Sequence, residues 1–418
     1  MAEVQMTTQS AEPKPIGYKQ LLSIRNYFYL LCAQFVADLG DGIYRIALTW
    51  AMMQLTGSAV MISAVLIAQL VPTIVLGIFA GVMVDRGNKR RYMLLADFFR
   101  GVVVGGVGLL WWGGLLQPWM LIVAAAILAS YTAFFTPARA VAVRFLVPDD
   151  ALMQAKSLST SLNTIVMLVA PAIGAALIAI DLSLAFFFNA VTFFLSLLMI
   201  SFIRNEELVQ VVAGKLSLSV FKTSLLEGYH TIMRSKVLRS LVYYVVLLNL
   251  LLAPSSVLIP IYAFEVSGMG ATGLATFEIA FFLGVLLGSI VLGWLTRWPK
   301  IALVISGVSL ILLSFFALAF VENFVIAIGL MFVLGVGMPM TNVPLSTMFA
   351  LKVPREQLGR ASSAIGVLTM SSQPLALSLS GTVLAMVSIS AFFMYIGAFG
   401  ILLVVMMLLN PTIRKSEA

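Results

Sequence analysis

Residues 81–91 read Gly81-Val82-Met83-Val84-Asp85-Arg86-Gly87-Asn88-Lys89-Arg90-Arg91. Apolar stretches flank this run on both sides, near 59–84 and 92–114. A bilayer core of about 30 Å takes roughly 20 apolar residues in helical form, so the run reads as a tight basic turn between two membrane-spanning helices. Gly81 is small enough to let a neighbouring helix approach closely. Asp85 stands at a helix end, where a carboxylate can meet a partner cation or the positive N-terminus of another helix. Arg86, Lys89, Arg90 and Arg91 cap the turn, and Asn88 tolerates the left-handed conformation such a turn can require. Basic residues alone account for an anchor at a membrane face; they do not account for Gly81 and Asp85 at that spacing.

The rest of the chain repeats the pattern of apolar span and short turn. The 418 residues are 61% hydrophobic and 10% charged, against roughly a quarter charged in soluble domains, and the mean hydropathy is +1.07. Spans are expected near 27–53, 59–84, 92–114, 118–145, 157–180 and 183–203, then near 238–263, 271–296, 300–320, 323–350, 361–384 and 387–409. The reading is an all-α membrane protein of twelve transmembrane helices in two six-helix halves. The divisions are an N-terminal segment 1–26, a first bundle 27–203, a central loop 204–237, a second bundle 238–409 and a tail 410–418. The central loop carries Arg204, Glu206, Glu207, Lys215, Lys222, Glu227, Arg234 and Lys236. Met1 to Lys19 shows none of the features of a signal peptide.

Of 25 Lys and Arg, 24 lie in or close beside the termini and the turns after even-numbered spans. The opposite turns hold only acids, among them Asp181, Glu265 and Glu322. The positive-inside rule then places both termini and residues 204–237 in the cytoplasm of a multi-pass plasma-membrane protein. The net charge of +8 is a topology signal whose partner is anionic lipid, and nucleic acid is not implied. Cys32 and His230 are the only residues of their kinds, which excludes an intrachain disulfide and a histidine relay across the bilayer.

The two halves echo each other. Leu146-Val147-Pro148-Asp149-Asp150 follows span four, and Lys352-Val353-Pro354-Arg355-Glu356 follows span ten, 206 residues later (146 to 352). Gly81 with Arg86, and Gly293 with Arg297, close spans two and eight. Such internal duplication marks many secondary transporters.

The 81–91 run resembles the loop between helices two and three of the major facilitator superfamily. Gly81, Asp85, Arg86, Lys89 and Arg90 match it by position, while Asn88 replaces a second glycine. The resemblance implies a latch between the halves on the cytoplasmic side in the outward-facing state. Ala170-Pro171-Ala172-Ile173-Gly174-Ala175 is similar to an element of the family's antiporters, with Pro171 and Gly174 in place and two glycines replaced by alanine. Gly40-Asp41-Gly42, Pro137-Ala138-Arg139 and Asn342-Val343-Pro344 resemble the drug:proton antiporter subgroup that holds macrolide-efflux proteins and enterobactin exporters. The resemblance implies a proton-coupled exporter of amphipathic compounds such as drugs or macrolides, driven by the proton gradient with no cofactor or metal, functional as a monomer in a bacterial membrane.

Charges inside a membrane are costly, about 2.5–3.5 kcal/mol or more at the centre, and therefore carry a partner or a function. In the first span Gln34, Asp38, Asp41 and Arg45 form a stripe; the last three fall within an arc of about 60°. Asp41 and Arg45 have the spacing of an i, i+4 pair. That pair is either a static packing element or part of a proton-exchanging site in which Asp38 or Asp41 titrates; the spacing favours Asp38, the unpaired acid, and the resemblance of Gly40-Asp41-Gly42 favours Asp41. Glu278 in span eight has no basic neighbour in sequence and either reaches outward to headgroups or faces the interior as a second proton or cation site. Asp97, Arg100 and Arg139 are expected to join Asp85 in the gate network. Abundant Met and Phe, 22 and 28 residues, supply an adaptable lining. An exporter or flippase of an endogenous amphiphile, a siderophore or lysophospholipid, is the alternative; a receptor or channel fits the gate loop and duplication less well.

Overall fold

In the computed structural model the described residues are 18–148, 151–206, 208–209, 218–268, 270–295, 297–354, 357–384 and 386–414. The N-terminal residues 1–17, Lys215, Asp149, Asp150, Arg355 and Glu356, and the side chains of Asp85 and Lys222, lie outside them. The described chain is built from sixteen helices. A short α1 (Tyr18–Ser23) precedes the first six long ones: α2 (Arg25–Thr56), α3 (Ala59–Arg86), α4 (Lys89–Trp112), α5 (Pro118–Leu146), α6 (Leu152–Ile180) and α7 (Leu182–Ser201). The central helix α8 (Leu218–Arg234) leads to α9 (Lys236–Leu252), α10 (Ser255–Ser267), α11 (Ala271–Trp294), α12 (Lys300–Leu318), α13 (Phe324–Lys352), α14 (Leu358–Leu384), α15 (Ile389–Leu409) and α16 (Pro411–Arg414).

Ten spans, with α9 and α10 counted as one, are long and apolar enough to cross a membrane. The other two membrane-length helices, α2 and α14, are as long but more polar; α2 holds the Asp38–Asp41–Arg45 stripe and α14 is rich in Ser and Thr. Span seven departs from the expected single helix over 238–263. It is interrupted at Ala253-Pro254, because Pro254 has no N–H to continue the ladder.

The duplication is visible in the packing. In the first half α3 packs on α5 and α4 on α7; in the second α11 packs on α13 and α12 on α15. Even the turn details repeat. Val147 and Val353 are the extended residues that end α5 and α13, and the carbonyls of Pro148 and Pro354 accept from the N–H groups of Ala151 and Gln357 at 3.0 and 2.9 Å.

The ends of the bundle differ. We call the end that carries the basic turns the basic end. There, one buried apolar cluster draws on the first half alone, around Tyr27, Met93 and Leu146. Others draw on the second half alone, around Leu238 and Val353 and around Leu292 and Leu303. Toward the far end the clusters mix halves: Val257, Ile261, Ala271 and Leu377 pack into the first-half core, and Ile46 packs into the second. Trp50 meets Phe264 at 5.8 Å between ring centroids. Gly270, at φ +62°, lies beneath the Trp50 ring, where a Cβ would come within 3.0 Å of it. Gly381 closes in the same way on Val60 and Ser63. The halves meet at the far end and part at the basic end.

Candidate functional site

Between the halves lies a cavity with three adjoining lobes. A polar lobe of about 360 Å³ is bounded by first-half helices and lined by Asp38, Asp41, Tyr44, Arg45, Arg100 and Asn163. A lobe of about 410 Å³ joins the halves through Gln69, Asn249, Asn342 and Gln373. An apolar lobe of about 270 Å³ lies mainly in the second half and includes Phe277, Phe281, Phe282, Phe315, Met331 and Met338. Gln69 lines the first two lobes, and Arg45 lines the polar and apolar ones.

The α2 stripe supplies the charges, but its partners are not those the local spacing suggests. Asp41 Oδ2 accepts from Arg100 Nη2 at 2.6 Å, not from Arg45. Asp38 Oδ1 accepts from Arg139 Nη1 at 2.9 Å. Arg45 crosses to the second half and bonds Glu278 Oε2 at 2.9 Å. At a rise of about 1.5 Å per residue, stripe positions three and four residues apart are separated by roughly 4.5–6 Å along the helix, so three positions on one face sit at three depths and meet three different helices. Glu278 therefore faces the cavity. Asp97, Arg100 and Arg139 join the network of the helix-one acids; the side chain of Asp85, their expected gate partner, lies outside the described residues. Gln34 is buried and does not line a lobe.

Around Arg100 the contacts are dense. Its Nη1 lies 3.4 Å from Asp97, which is fully buried and accepts from Ser196 Oγ at 2.5 Å. The guanidinium stacks 4.0 Å from the Phe193 ring centroid and 5.4 Å from Phe135; Arg139 lies 5.8 Å from the same Phe135 ring. These faces supply cation–π attraction where water is scarce. Ser196, Phe193 and Phe135 were not singled out from sequence. A serine within the apolar run of α7 was the available signal for the first; for the rings there was none.

The glycines beside Asp41 explain how α2 sits. A Cβ at Gly40 would lie 1.9 Å from Thr192 Oγ1 of α7, and one at Gly42 would lie 2.6 Å from the Ala170 Cβ of α6. Both helices close on α2 at the level of Asp41. Pro171 is buried in the same contact region, and Gly174 faces Ile43 at ordinary van der Waals distance.

The 81–91 turn differs from expectation in two respects. Among the described residues no atom lies within 4 Å of a Cβ built on Gly81, so none of them makes a close helix approach there. Asn88 adopts an extended backbone, φ −72°, and caps α4 by accepting from the Arg91 N–H at 2.8 Å. The capping role, not left-handed geometry, accounts for Asn. Arg90 donates to the carbonyl of Ser201 at 2.5 Å, and the Lys89 N–H donates to the Leu208 carbonyl at 2.9 Å, both within the first half. Among the described residues Arg86 Nη1 is buried without a partner. The Arg90 and Lys89 contacts hold α4 to the chain after α7.

A two-half helical bundle that encloses a charged cavity, joined at one end and parted at the other, is the architecture of a secondary transporter. Residues 30–377 match the Major Facilitator Superfamily, and the chain belongs to that family. It is 26% identical to the uncharacterized MFS-type transporter YfiS of Bacillus subtilis over 93% of this chain and 94% of that protein. It is 25% identical to macrolide efflux protein A of Streptococcus pyogenes over 93% and 97%. It is also 32% identical to the multidrug efflux pump Tap of Mycobacterium tuberculosis, over 43% of this chain and 44% of the pump. Among solved structures, the nucleoside transporter NupG superposes with a TM-score of 0.72 at 13% identity, covering 92% of this chain and 98% of that one. A bacterial homologue of the iron transporter ferroportin, in its inward-facing state, gives 0.70 at 18%, covering 95% and 99%. The chain is thus a multi-pass membrane transporter of the major facilitator fold.

Proposed function

We propose that the protein exports amphipathic compounds such as drugs or macrolides in exchange for protons, by alternating access, as a monomer in a bacterial plasma membrane. The basic end is cytoplasmic, with both termini, so a bundle parted at that end is inward-facing. The observation that carries the exchange is the Asp38–Arg139 and Asp41–Arg100–Asp97 network on the cavity wall: three carboxylates share two guanidiniums inside a membrane protein. Unmatched charge is expensive there, and a proton that binds one carboxylate removes the excess. The substrate class is supported by the apolar lobe and by the efflux relatives. The Gly81–Arg91 turn is the latch of the opposite, outward-facing state.

The test is accumulation of a radiolabelled macrolide in inverted membrane vesicles that express the protein. Uptake is expected to follow an imposed pH gradient and to collapse with a protonophore. Equal uptake with and without the gradient would overturn the exchange. Labelling of a cysteine at position 215 from outside intact cells, in a Cys32→Ser background, would overturn the orientation.

A further inference from the structure

Among the described residues Arg45 is the one basic residue remote from the basic end. Its guanidinium lines the polar and the apolar lobe at once, and two carboxylates are available to it. Glu278 holds it now, across the halves, at 2.9 Å. Asp41 lies one turn back on the same helix, at a spacing where such side chains meet, and is engaged by Arg100 instead.

The apolar lobe has aromatic and thioether walls, from Phe277, Phe281, Phe282, Phe315, Met331 and Met338, and a single acid, Glu278. Phe282 also lies 6.0 Å from the Arg45 guanidinium. Rings around one carboxylate fit an apolar molecule with one cationic centre, held by an ion pair and by ring faces. Arg45 occupies the place such a cation would take. Its side chain is 45% exposed to the cavity, so it is free to swing.

We propose that Glu278 in the apolar lobe binds a lipophilic cation, which displaces Arg45 onto Asp41 and so releases the ion pair that ties the two halves together. The charge count gives this exchange a direction. With Asp38, Asp41 and Asp97 ionised against Arg100 and Arg139, the first-half network lacks one cation, which either a proton or Arg45 supplies. A proton in the network leaves Arg45 on Glu278 and the far end joined. Loss of the proton and arrival of the organic cation draw Arg45 to Asp41 and free the far end. The other titratable groups near the pair are Tyr44 on α2, which lines the polar lobe, and Tyr262 on α10, which stacks on Phe277. Glu265 lies one turn from Tyr262 toward the far end. From α5 comes Arg139, which Asp38 already holds. The remaining helices packed on α2 and α11, namely α1, α3, α6, α7 and α13, carry Asp, Glu, Lys or Arg only near their basic ends or not at all.

The swing of Arg45 and the release of the far end rest on the proposed proton exchange; binding of the cation at Glu278 does not. The test uses the full chain in lipid nanodiscs, with empty nanodiscs as reference. The probes are tetraphenylphosphonium and tetraphenylborate, which share a shape and differ in the sign of charge. Glu278→Gln is expected to weaken phosphonium binding by at least about tenfold, the scale of a lost charged partner, and Glu278→Asp to keep part of it. Arg45→Gln is expected to strengthen it, because a competitor is gone, and borate binding is expected to respond to neither change. Spin labels at positions 58 and 386, in a Cys32→Ser background, are expected to move apart when phosphonium is added to the otherwise parental protein.

Parental phosphonium affinity in Glu278→Gln, or weakening by Arg45→Gln as large as that by Glu278→Gln, would overturn the proposal. If Glu278→Gln does not fold, the Arg45→Gln and spin-label arms decide. Proton-driven macrolide uptake without Glu278-dependent phosphonium binding would sink this inference alone. Glu278-dependent binding by a protein that shows no gradient-driven uptake would sink the proton exchange alone.

Discussion

Two sets of ion pairs hang from the same face of α2, and they tie together different things. Asp38–Arg139 and Asp41–Arg100–Asp97 join helices within the first half. Arg45–Glu278 joins the first half to the second. The first set is crowded by rings and buried at its centre, where Asp97 is fully enclosed. The second stands open to the cavity, with Arg45 nearly half exposed. A bundle that rocks about its middle keeps contacts inside a half and exchanges contacts between halves. The inner set therefore suits a fixed proton-binding frame, and the outer pair suits a contact that is made and broken in each cycle.

The sharpest way to break this contrast is to remove the frame's centre. Arg100→Ala leaves Asp97 buried without its cation, and loss of one partner of a buried pair costs roughly 3–5 kcal/mol. Thermal unfolding in detergent is expected to show a large drop or loss of folded protein, while Arg45→Ala is expected to cost less, because Glu278 lines the cavity whereas Asp97 is fully buried. Similar unfolding temperatures for the two variants would erase the distinction.

Next in size is coupling. Asp41→Asn mimics a permanently protonated frame, so pH-driven accumulation is expected to vanish, while phosphonium binding weakens, because Arg45 stays on Glu278, but is still reached at saturation. Arg45 is committed to Glu278 in this structure, so Asp38 is no longer the spare acid that local spacing makes it, and Asp41 is the one placed to exchange partners. Accumulation by Asp41→Asn at the parental level, measured in inverted vesicles, would move the proton site elsewhere.

A smaller effect is expected from the packing that aims Asp41. Gly40→Ala forces α2 from α7, since its Cβ would meet Thr192 Oγ1 at 1.9 Å; overpacking of this kind costs roughly 1–3 kcal/mol. Transport is expected to fall along with stability, and an unchanged unfolding temperature would contradict the close contact. Smallest is Asn88→Ala, which removes the α4 cap and costs roughly 1 kcal/mol, with transport affected no more than the folded fraction.

Much of this was legible in the sequence for a physical reason. Hydropathy and the basic turns read out the span order because the bilayer imposes length and charge sidedness on every helix. The Asp38–Asp41–Arg45 stripe was legible because helical periodicity is local. Its partners were not, since Arg139, Arg100 and Glu278 stand 101, 59 and 233 residues away from the residues they bond. Local spacing offered Asp41 and Arg45 as a pair; cations arriving from other helices outcompeted it. Gly40 and Gly42 were visible as small residues, but the faces they admit, Thr192 and Ala170, come from long-range packing. Gly81, read by the same logic, meets no close neighbour among the described residues. The Asn88 cap was open to recognition, as Asn before a helix start is an ordinary N-cap.

Exchange of a proton on the α2 carboxylates against the substrate can be read by counting protons. Purified protein in weakly buffered solution receives saturating phosphonium or macrolide while the pH is followed. The parental protein is expected to release protons on binding, and Asp41→Asn is expected to bind without release. Release at the parental level from Asp38→Asn, Asp41→Asn and their double variant would contradict the exchange.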